Sequence, residues 1–478
     1  MDAVRVLDAE AVLRLDDHIS GGGGRGLDIA RKLGPAGIIE HVAASGLRGR
    51  GGGGFPTGTK WQTVAANASQ TLRTTVVVNG AEGEPGTFKD RAILRANPFR
   101  VIEGALIAAL AVGADLVVFA LKASAGLEVE RVRSAIAEVE AAGWASGVTF
   151  EVIEGPSEYL YGEETAMLEV LDGRAPFPRI APPYRHGVDE VGEAATGASE
   201  TAMPGADAGT GAPPTLVNNV ETFANVPGII AEGPAWFREL GTEASPGTIV
   251  CTISGRTKRH GVVEVPMGTP LRDVIDAVGG GTSSGGDVVA VVSGVANPLV
   301  PAALLDTPLT YEDMDAIGSG LGAGGFIVLD DETDVVAFAH GVSRFLAVES
   351  CGQCTPCKQD GLAIAGLLDA LRRSEAEASD RDELESRLAT VSDEARCYLA
   401  LQQQRVISSV LALFPERVHA HLERTAGPAE LDLIASILDV VDDRAVLDER
   451  HADKQPDWTF DPIDSGQSPA DRIDQAGS

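Results

Sequence analysis

TTVVVNG at residues 74–80, FRVIEGALIAALAVGA at 99–114 and DLVVFALKA at 115–123 decide the architecture of this chain. Apolar strand-like runs alternate there with a long helical pattern, and a charged amphipathic helix follows at 127–142. That alternation predicts an α/β domain with a largely parallel sheet over 41–245. Residues 185–213 within it, rich in Gly, Ala, Ser and acid, read as a flexible insertion. Residues 1–40 hold a glycine run and two short helical patterns, GLDIARKL and AGIIEHVAAS, an N-terminal helical segment with no chemistry of its own. Outward in the other direction, short strands and glycine turns surround one helix at 270–278, which predicts a small α+β module over 246–332. From 333 to 438 the pattern is helical and predicts a bundle. Residues 439–478 are polar, acidic and proline-containing, and are expected to be disordered.

At 478 residues the chain exceeds what one hydrophobic core serves. No stretch approaches a membrane span, and MDAVRVLDAEAVLRLDD lacks the basic start and apolar centre of a signal peptide, so a cytoplasmic protein without direct membrane insertion is expected. The net charge of −32 argues against a nucleic-acid partner, which would need clustered cations. Lysine is scarce: Lys32, Lys60, Lys89, Lys122, Lys258, Lys358 and Lys454 are all there are. A lysine kept inside a motif therefore draws interest.

Four of the five cysteines form one set. Cys351, Cys354 and Cys357 lie in ESCGQCTPCKQD, and Cys397 follows in EARCYLA. Three thiolates at C-x-x-C-x-x-C spacing plus a distant fourth suit a 4Fe-4S cluster. Tetrahedral zinc is the alternative, although structural zinc sites usually pair two C-x-x-C knuckles. Thiols kept for metal ligation point to a reducing compartment. Cys251, in TIVCTISG, reads as a small core residue.

Four more segments carry candidate chemistry. SGLRGRGGGGFPTGTKW at 45–61 has glycines that free backbone amides to wrap a phosphate or a flavin edge, with Arg48, Arg50 and Lys60 as cationic complement. It is neither a Walker loop nor a Rossmann fingerprint, and a purely structural loop is the bland alternative. VNGAEGEPGTFKDR at 78–91 follows a strand, where ligand-binding residues collect at the carboxyl end of a parallel sheet. Glu82 and Glu84 would be unusual choices for a structural turn. YLYGEET at 159–165 opens a helix, where paired acids can equally serve the helix dipole. PTLVNNVET at 214–222 offers Asn218 and Asn219 either to a heterocycle or to a turn.

Taken in order, these segments and the cysteines resemble the NADH-binding flavoprotein subunit of respiratory complex I, a core shared with diaphorase subunits of NAD-reducing hydrogenases and NAD-dependent formate dehydrogenases. The resemblance spans about residues 27–430. It implies a Rossmann-like FMN domain, a ubiquitin-like β-grasp module matching SGRTKRHGVVEVPMGTPLRDVI, and a helical bundle carrying the cluster. By position, the family's flavin site falls on Gly49, Arg50, Gly51, Lys60, Asn79, Glu82, Gly162, Glu163, Glu164, Val217, Asn218, Asn219 and Thr222. Its nicotinamide and adenine contacts fall on Phe55, Glu84, Tyr159, Glu164 and Tyr184, with Glu84 and Glu164 as the catalytic candidates.

The implied chemistry is hydride transfer from NADH to FMN and single-electron passage to the cluster. The resemblance also implies a larger oxidoreductase complex, reached at the membrane only peripherally, and a thioredoxin-like 2Fe-2S partner protein as the electron exit. The chain departs from the family's pattern at Ala81 (aspartate there), Thr63 (aromatic), Ala181 (lysine), Tyr184 (phenylalanine) and in Tyr398 to Gln402. These departures motivate two further readings: a diverged paralogue with another donor or acceptor, and a non-catalytic, cluster-bearing assembly or sensor protein.

Overall fold

The structure, a computed structural model, describes residues 4–68, 73–179 and 215–476. Tyr184, Ala181 and the predicted insertion at 185–213 lie outside the described residues. Strands β1 (Thr75–Gly80), β2 (Leu116–Lys122), β3 (Thr149–Gly155) and β4 (Thr215–Asn219) form a parallel sheet in the order β3-β2-β1-β4. Val76, Val77 and Val78 are all fully buried, so both faces of β1 are covered, which is why its sequence does not alternate. The Pro98–Val112 helix crosses from β1 towards β2. Asn97 caps it through Arg100 N, Pro98 opens it, and Gly113 closes it at φ 71°. Gly104 lets this helix meet the Val220–Glu232 helix backbone to backbone, since a Cβ there would lie 2.0 Å from the Phe223 carbonyl oxygen.

The N-terminal patterns are one helix, Arg25–Ser45, bent where Gly34 leaves helical geometry ahead of Pro35. Its Leu27, Ala30, Ile38 and Val42 share a core with β1 and β2. The chain adds β2 and β3 on one side of β1 and returns to add β4 on the other. That reversal creates a topological switch point between β1 and β4, where such sheets bind ligands. Asn79 and Asn219 face each other in register there.

The second sheet has the order β6-β5-β9-β7-β8, built from β5 (Thr248–Gly255), β6 (Gly261–Pro266), β7 (Val288–Ser293), β8 (Val300–Pro301) and β9 (Gly325–Asp330). The Leu271–Gly279 helix packs across β5 and β6, giving the mixed sheet with one helix of a β-grasp. Cys251 is fully buried in this core. Helices Val335–Glu349, Thr355–Arg372, Ala378–Thr390, Leu399–Leu413 and Pro415–Leu422 then pack as a bundle.

Disorder after residue 438 is corrected by the structure. Strands β10 (Ile437–Val441) and β11 (Arg444–Leu447) form a hairpin, and a strap follows to the Pro469–Ala476 helix. Polar composition misleads because this strap is held through its backbone. Arg344 donates to the carbonyls of His451, Ala452 and Lys454, and Lys358 to that of Pro456. Trp458 is buried against Phe177, with its indole N–H on the Val348 carbonyl. Among the described residues no helix is long and apolar enough to cross a membrane.

Candidate functional site: a cradle at the sheet switch point and a four-thiol pocket

The glycine-rich loop is pinned at its base and open at its tip. Gly49 N donates to Phe55 O and Thr57 N to Leu47 O, while Gly52 runs at φ 115° and a Cβ on Gly53 would meet nothing within 4 Å. Gly54, at φ 60°, lies against the Tyr311 ring, leaving no space for a side chain. The loop's arginines face the β-grasp module. Arg48 stacks on Tyr311 and pairs with Glu312, and the Arg50 guanidinium reaches Tyr311 Oη and the Pro246 carbonyl. Arg50 N donates to Thr222 Oγ1 at 2.9 Å. The loop therefore offers backbone amides to a ligand, and Lys60 is the cation beside it.

Lys60 sits on the Thr57–Ala66 helix and bonds Glu164 Oε2 at 2.7 Å. Among the described residues Glu164 Oε1 is buried with no hydrogen-bond partner, and burial raises this carboxyl above its ordinary range. Its neighbour has the bland role that sequence left open: Glu163 caps the Glu164–Leu171 helix through Ala166 N. Asn79 Nδ2 holds the Gly162 carbonyl at 2.9 Å, and Asn79 Oδ1 accepts from Ala81 N. Ala81 is buried among Val77, Tyr161 and Met167, an apolar setting that suits alanine. Phe55 is half-buried at the loop's end.

The two asparagines of β4 serve the protein. Trp61 Nε1 donates to Asn218 Oδ1, and Asn219 caps the Val220–Glu232 helix while donating to Asp90. Val217 is buried beneath them. Sequence reasoning passed over the network they join. Lys89 Nζ lies 2.8 Å from Asp90, 3.0 Å from Asn219 and 3.0 Å from Glu221, and Glu221 accepts from Val250 N of the β-grasp module. The signal for it was a rare lysine in TFKDR. Glu82 accepts from the amides of Asp90 and Arg91, at the start of the Lys89–Ala96 helix, and burial with Asp90 nearby lifts it to about 7. Glu84 accepts from Val295 N across the domain boundary and is likewise lifted by burial to about 7.

The cysteines come together as the spacing requires. Cys351, Cys354, Cys357 and Cys397 line one pocket with Leu160 and Pro178. Cys354 is the N-cap residue of the Thr355–Arg372 helix, Cys357 lies in its first turn, and Cys397 precedes the Leu399–Leu413 helix. Two helix N-termini thus border the pocket and favour an anionic occupant. Burial pushes Cys357 up to about 11 and raises Cys351 and Cys397, so these thiols need a cationic metal to become thiolates. Ser350 Oγ lies 3.2 Å from Cys357 Sγ, and Gln353 Nε2 lies 3.5 Å from Cys351 Sγ. Among the described residues no three ligating side chains converge tightly enough for a single metal ion. Four cysteines lining one pocket, three of them at C-x-x-C-x-x-C spacing, suit a 4Fe-4S cluster.

One short turn joins the two places. In Tyr159–Gly162, Leu160 lines the thiol pocket while the Gly162 carbonyl is tied to Asn79 at the switch point. A cradle for a flavin and a pocket for an iron-sulfur cluster that share one turn of backbone define an electron-transfer flavoprotein.

Comparison with known proteins narrows this class. Residues 42–228 match the Nuo51 FMN-binding domain, 250–294 the SLBB domain, and 337–421 the NADH-ubiquinone oxidoreductase-F iron-sulfur binding region. The F 2 polypeptide of the NADH-quinone oxidoreductase of Rhizobium meliloti is 36% identical over 426 residues, covering 87% of this chain and 96% of that protein. The HndC polypeptide of the NADP-reducing hydrogenase of Solidesulfovibrio fructosivorans is 33% identical, with 89% and 83% covered. A chain of the NAD+-reducing [NiFe]-hydrogenase in its H2-reduced state superposes with a TM-score of 0.73 at 32% identity, covering 87% of this chain and 68% of that one. The chain belongs to the family of NADH-oxidising flavoprotein components of NADH-quinone oxidoreductases and their hydrogenase counterparts, FMN proteins with a 4Fe-4S binding region that work within larger oxidoreductases.

Proposed function

We propose that this protein oxidises NADH at the switch point and passes electrons one at a time to a 4Fe-4S cluster held by Cys351, Cys354, Cys357 and Cys397. The observation that carries this reading is the turn Tyr159–Gly162, which borders both places. FMN bound in the cradle supplies the conversion between a two-electron hydride donor and a one-electron acceptor. The loop from Gly49 to Gly51, Lys60, Asn79, Gly162 to Glu164 and the Val217 to Thr222 stretch are the groups that would hold it. Phe55, Glu84, Tyr159 and Tyr184 are the proposed dinucleotide contacts. Glu164, with one oxygen on Lys60 and the other without a hydrogen-bond partner among the described residues, is the acceptor that can hold a ligand N–H or O–H. Glu84 fixes the GEPG turn against the β-grasp module and thereby shapes the mouth of the site.

The relatives' names include NADH, NADP and NAD+, so the choice of donor is the point to test. Purified protein with measured FMN and iron is mixed anaerobically with NADH or NADPH in a stopped-flow instrument. Bleaching of the flavin band by NADH in preference to NADPH is expected. Failure of both to bleach protein that retains FMN and iron overturns this reading in favour of a different donor, and absence of FMN favours the non-catalytic one. A small thioredoxin-like 2Fe-2S protein is the proposed electron acceptor, within a complex that gives the protein its peripheral place at a membrane.

A further inference from the structure

The strap that follows β11, together with the hairpin that leads into it, touches all three preceding bodies of the protein. It lies beyond residue 421, where the match to the iron-sulfur binding region ends. At the start, Ser436 Oγ donates to the Gly83 carbonyl in the GEPG turn, and Arg91 donates to the Leu438 carbonyl. The β10–β11 turn then exchanges bonds with the β-grasp module: His260 N donates to Asp443 O, and Ala445 N donates to His260 Nδ1. Beyond it, His451 and Lys454 converge on Glu349, two residues before the first cluster cysteine. His451 Nε2 and Lys454 Nζ lie 3.2 and 2.8 Å from Glu349 Oε1. The other oxygen of Glu349 accepts from the backbone N–H of Tyr159 at 2.9 Å. The Tyr159 side chain is held by the bundle and strap as well. Gln402 Nε2 donates to its hydroxyl at 2.9 Å, and Phe345 meets its ring edge-on while packing on His451. Finally, Ala470 N donates to the Cys351 carbonyl, and Ser468 fills the space a side chain on Gly352 would need.

Glu349, His451 and Lys454 are all buried. A buried carboxylate needs charge-assisted partners to stay where it is, and here the strap provides two. We propose that the strap is a positioning element of the redox site: Lys454 and His451 fix Glu349, and Glu349 fixes the Tyr159 turn between cradle and cluster. Gln402, one of the departures from the family's pattern near Cys397, completes the grip. The effect on substrate binding rests on the proposed nucleotide role of Tyr159; the mechanical link stands on the contacts alone.

The test reads that link without turnover. Hydrogen-deuterium exchange of the peptide spanning 156–162 is compared in the full chain, in Lys454→Met, in Lys454→Arg and in a chain ending at Asp448. Faster exchange by about tenfold or more is expected in Lys454→Met and in the shortened chain, with recovery in Lys454→Arg. Ile463→Ser, at an exposed strap position, is expected to leave it unchanged. In the same samples the NADH KM of Lys454→Met should rise about fivefold while kcat with ferricyanide and the iron content hold, because a misplaced turn weakens binding before it affects chemistry. Unchanged exchange at 156–162 in folded, iron-replete Lys454→Met overturns the proposal. Should the shortened chain fail to fold, the point variant decides alone. Should the parent chain not oxidise NADH, the functional reading fails, while the exchange result still rules on the strap.

Discussion

Replacing Glu84 by glutamine isolates the charge that the cradle holds at its domain boundary. Burial lifts the Glu84 carboxyl from an ordinary 4.5 to about 7, and among the described residues its hydrogen-bond donor is Val295 N. An acid whose pKa is higher folded than unfolded lends stability below its unfolded value, and that contribution is lost as pH rises through 7. The full swing for this carboxyl is about 3 kcal/mol, and about 2 kcal/mol of it falls between roughly pH 5.5 and pH 8.5. Glutamine keeps an oxygen for Val295 N and carries no charge at either pH. The assay is urea unfolding of wild type and Glu84→Gln at both pH values, taking the difference between proteins so that other titrations cancel. The variant should gain about 2 kcal/mol on wild type from the lower to the higher pH. A difference that stays constant within about 0.5 kcal/mol would refute the claim that Glu84 is held against its ionisation.

Three further outcomes follow from contacts already described. Lys60→Met leaves Glu164 buried without its counter-charge and should cost about 3 kcal/mol at pH 8, and less as the pH falls and the carboxyl takes a proton, with loss of FMN on gel filtration; unchanged melting and full FMN would contradict the pairing. Cys354→Ser should lower bound iron from about four per chain to below one, measured by chelation after denaturation, and retention of four would remove Cys354 from the ligand set. Gly104→Ala places a Cβ 2.0 Å from the Phe223 carbonyl oxygen and should cost about 3 kcal/mol in thermal unfolding, since backbone rather than a flexible side chain must yield; an unchanged melting temperature would show that the two helices can part freely.

What the sequence revealed and what it hid divides along contact range. The parallel sheet was legible because its central strands β1 and β2 carry contiguous apolar runs, and the cluster because three of its ligands fall within seven residues. The roles of Asn218, Asn219 and Glu163 stayed ambiguous for a physical reason: an amide or carboxylate beside a cradle and one that caps a helix have the same local sequence. Lys89 with Glu221, and Glu349 with Lys454, were invisible because each pair joins residues more than a hundred positions apart. The strap was misread because composition reports side chains, whereas several of its anchors are its own carbonyls accepting from Arg344 and Lys358. A single tryptophan, Trp458, was the one apolar hint of its docking.

The scarcity of lysine acquires a structural meaning once its places are known. Lys60, Lys89, Lys122, Lys358 and Lys454 are each at most 7% exposed, leaving Lys32 and Lys258 as the exposed ones among the seven. Every buried one stands where separate elements meet. Lys89 gathers Asp90, Asn219 and Glu221; Lys358 gathers the carbonyls of Ala347, Ser350 and Pro456; Lys454 joins strap to Glu349; Lys60 joins loop helix to Glu164; and Lys122 ties the end of β2 to the Ser157 carbonyl. An ammonium is a compact charge with three rotatable donors on a flexible stem, whereas a guanidinium is a rigid planar fork of five donors. Lys89 and Lys358 use the ammonium in this way, each meeting oxygens from more than one stretch of chain, while Arg344 spreads its fork over three strap carbonyls. In this chain the few buried lysines mark the joints between cradle, β-grasp module, cluster bundle and strap, and it is at those joints that the relative position of flavin cradle and cluster pocket is set.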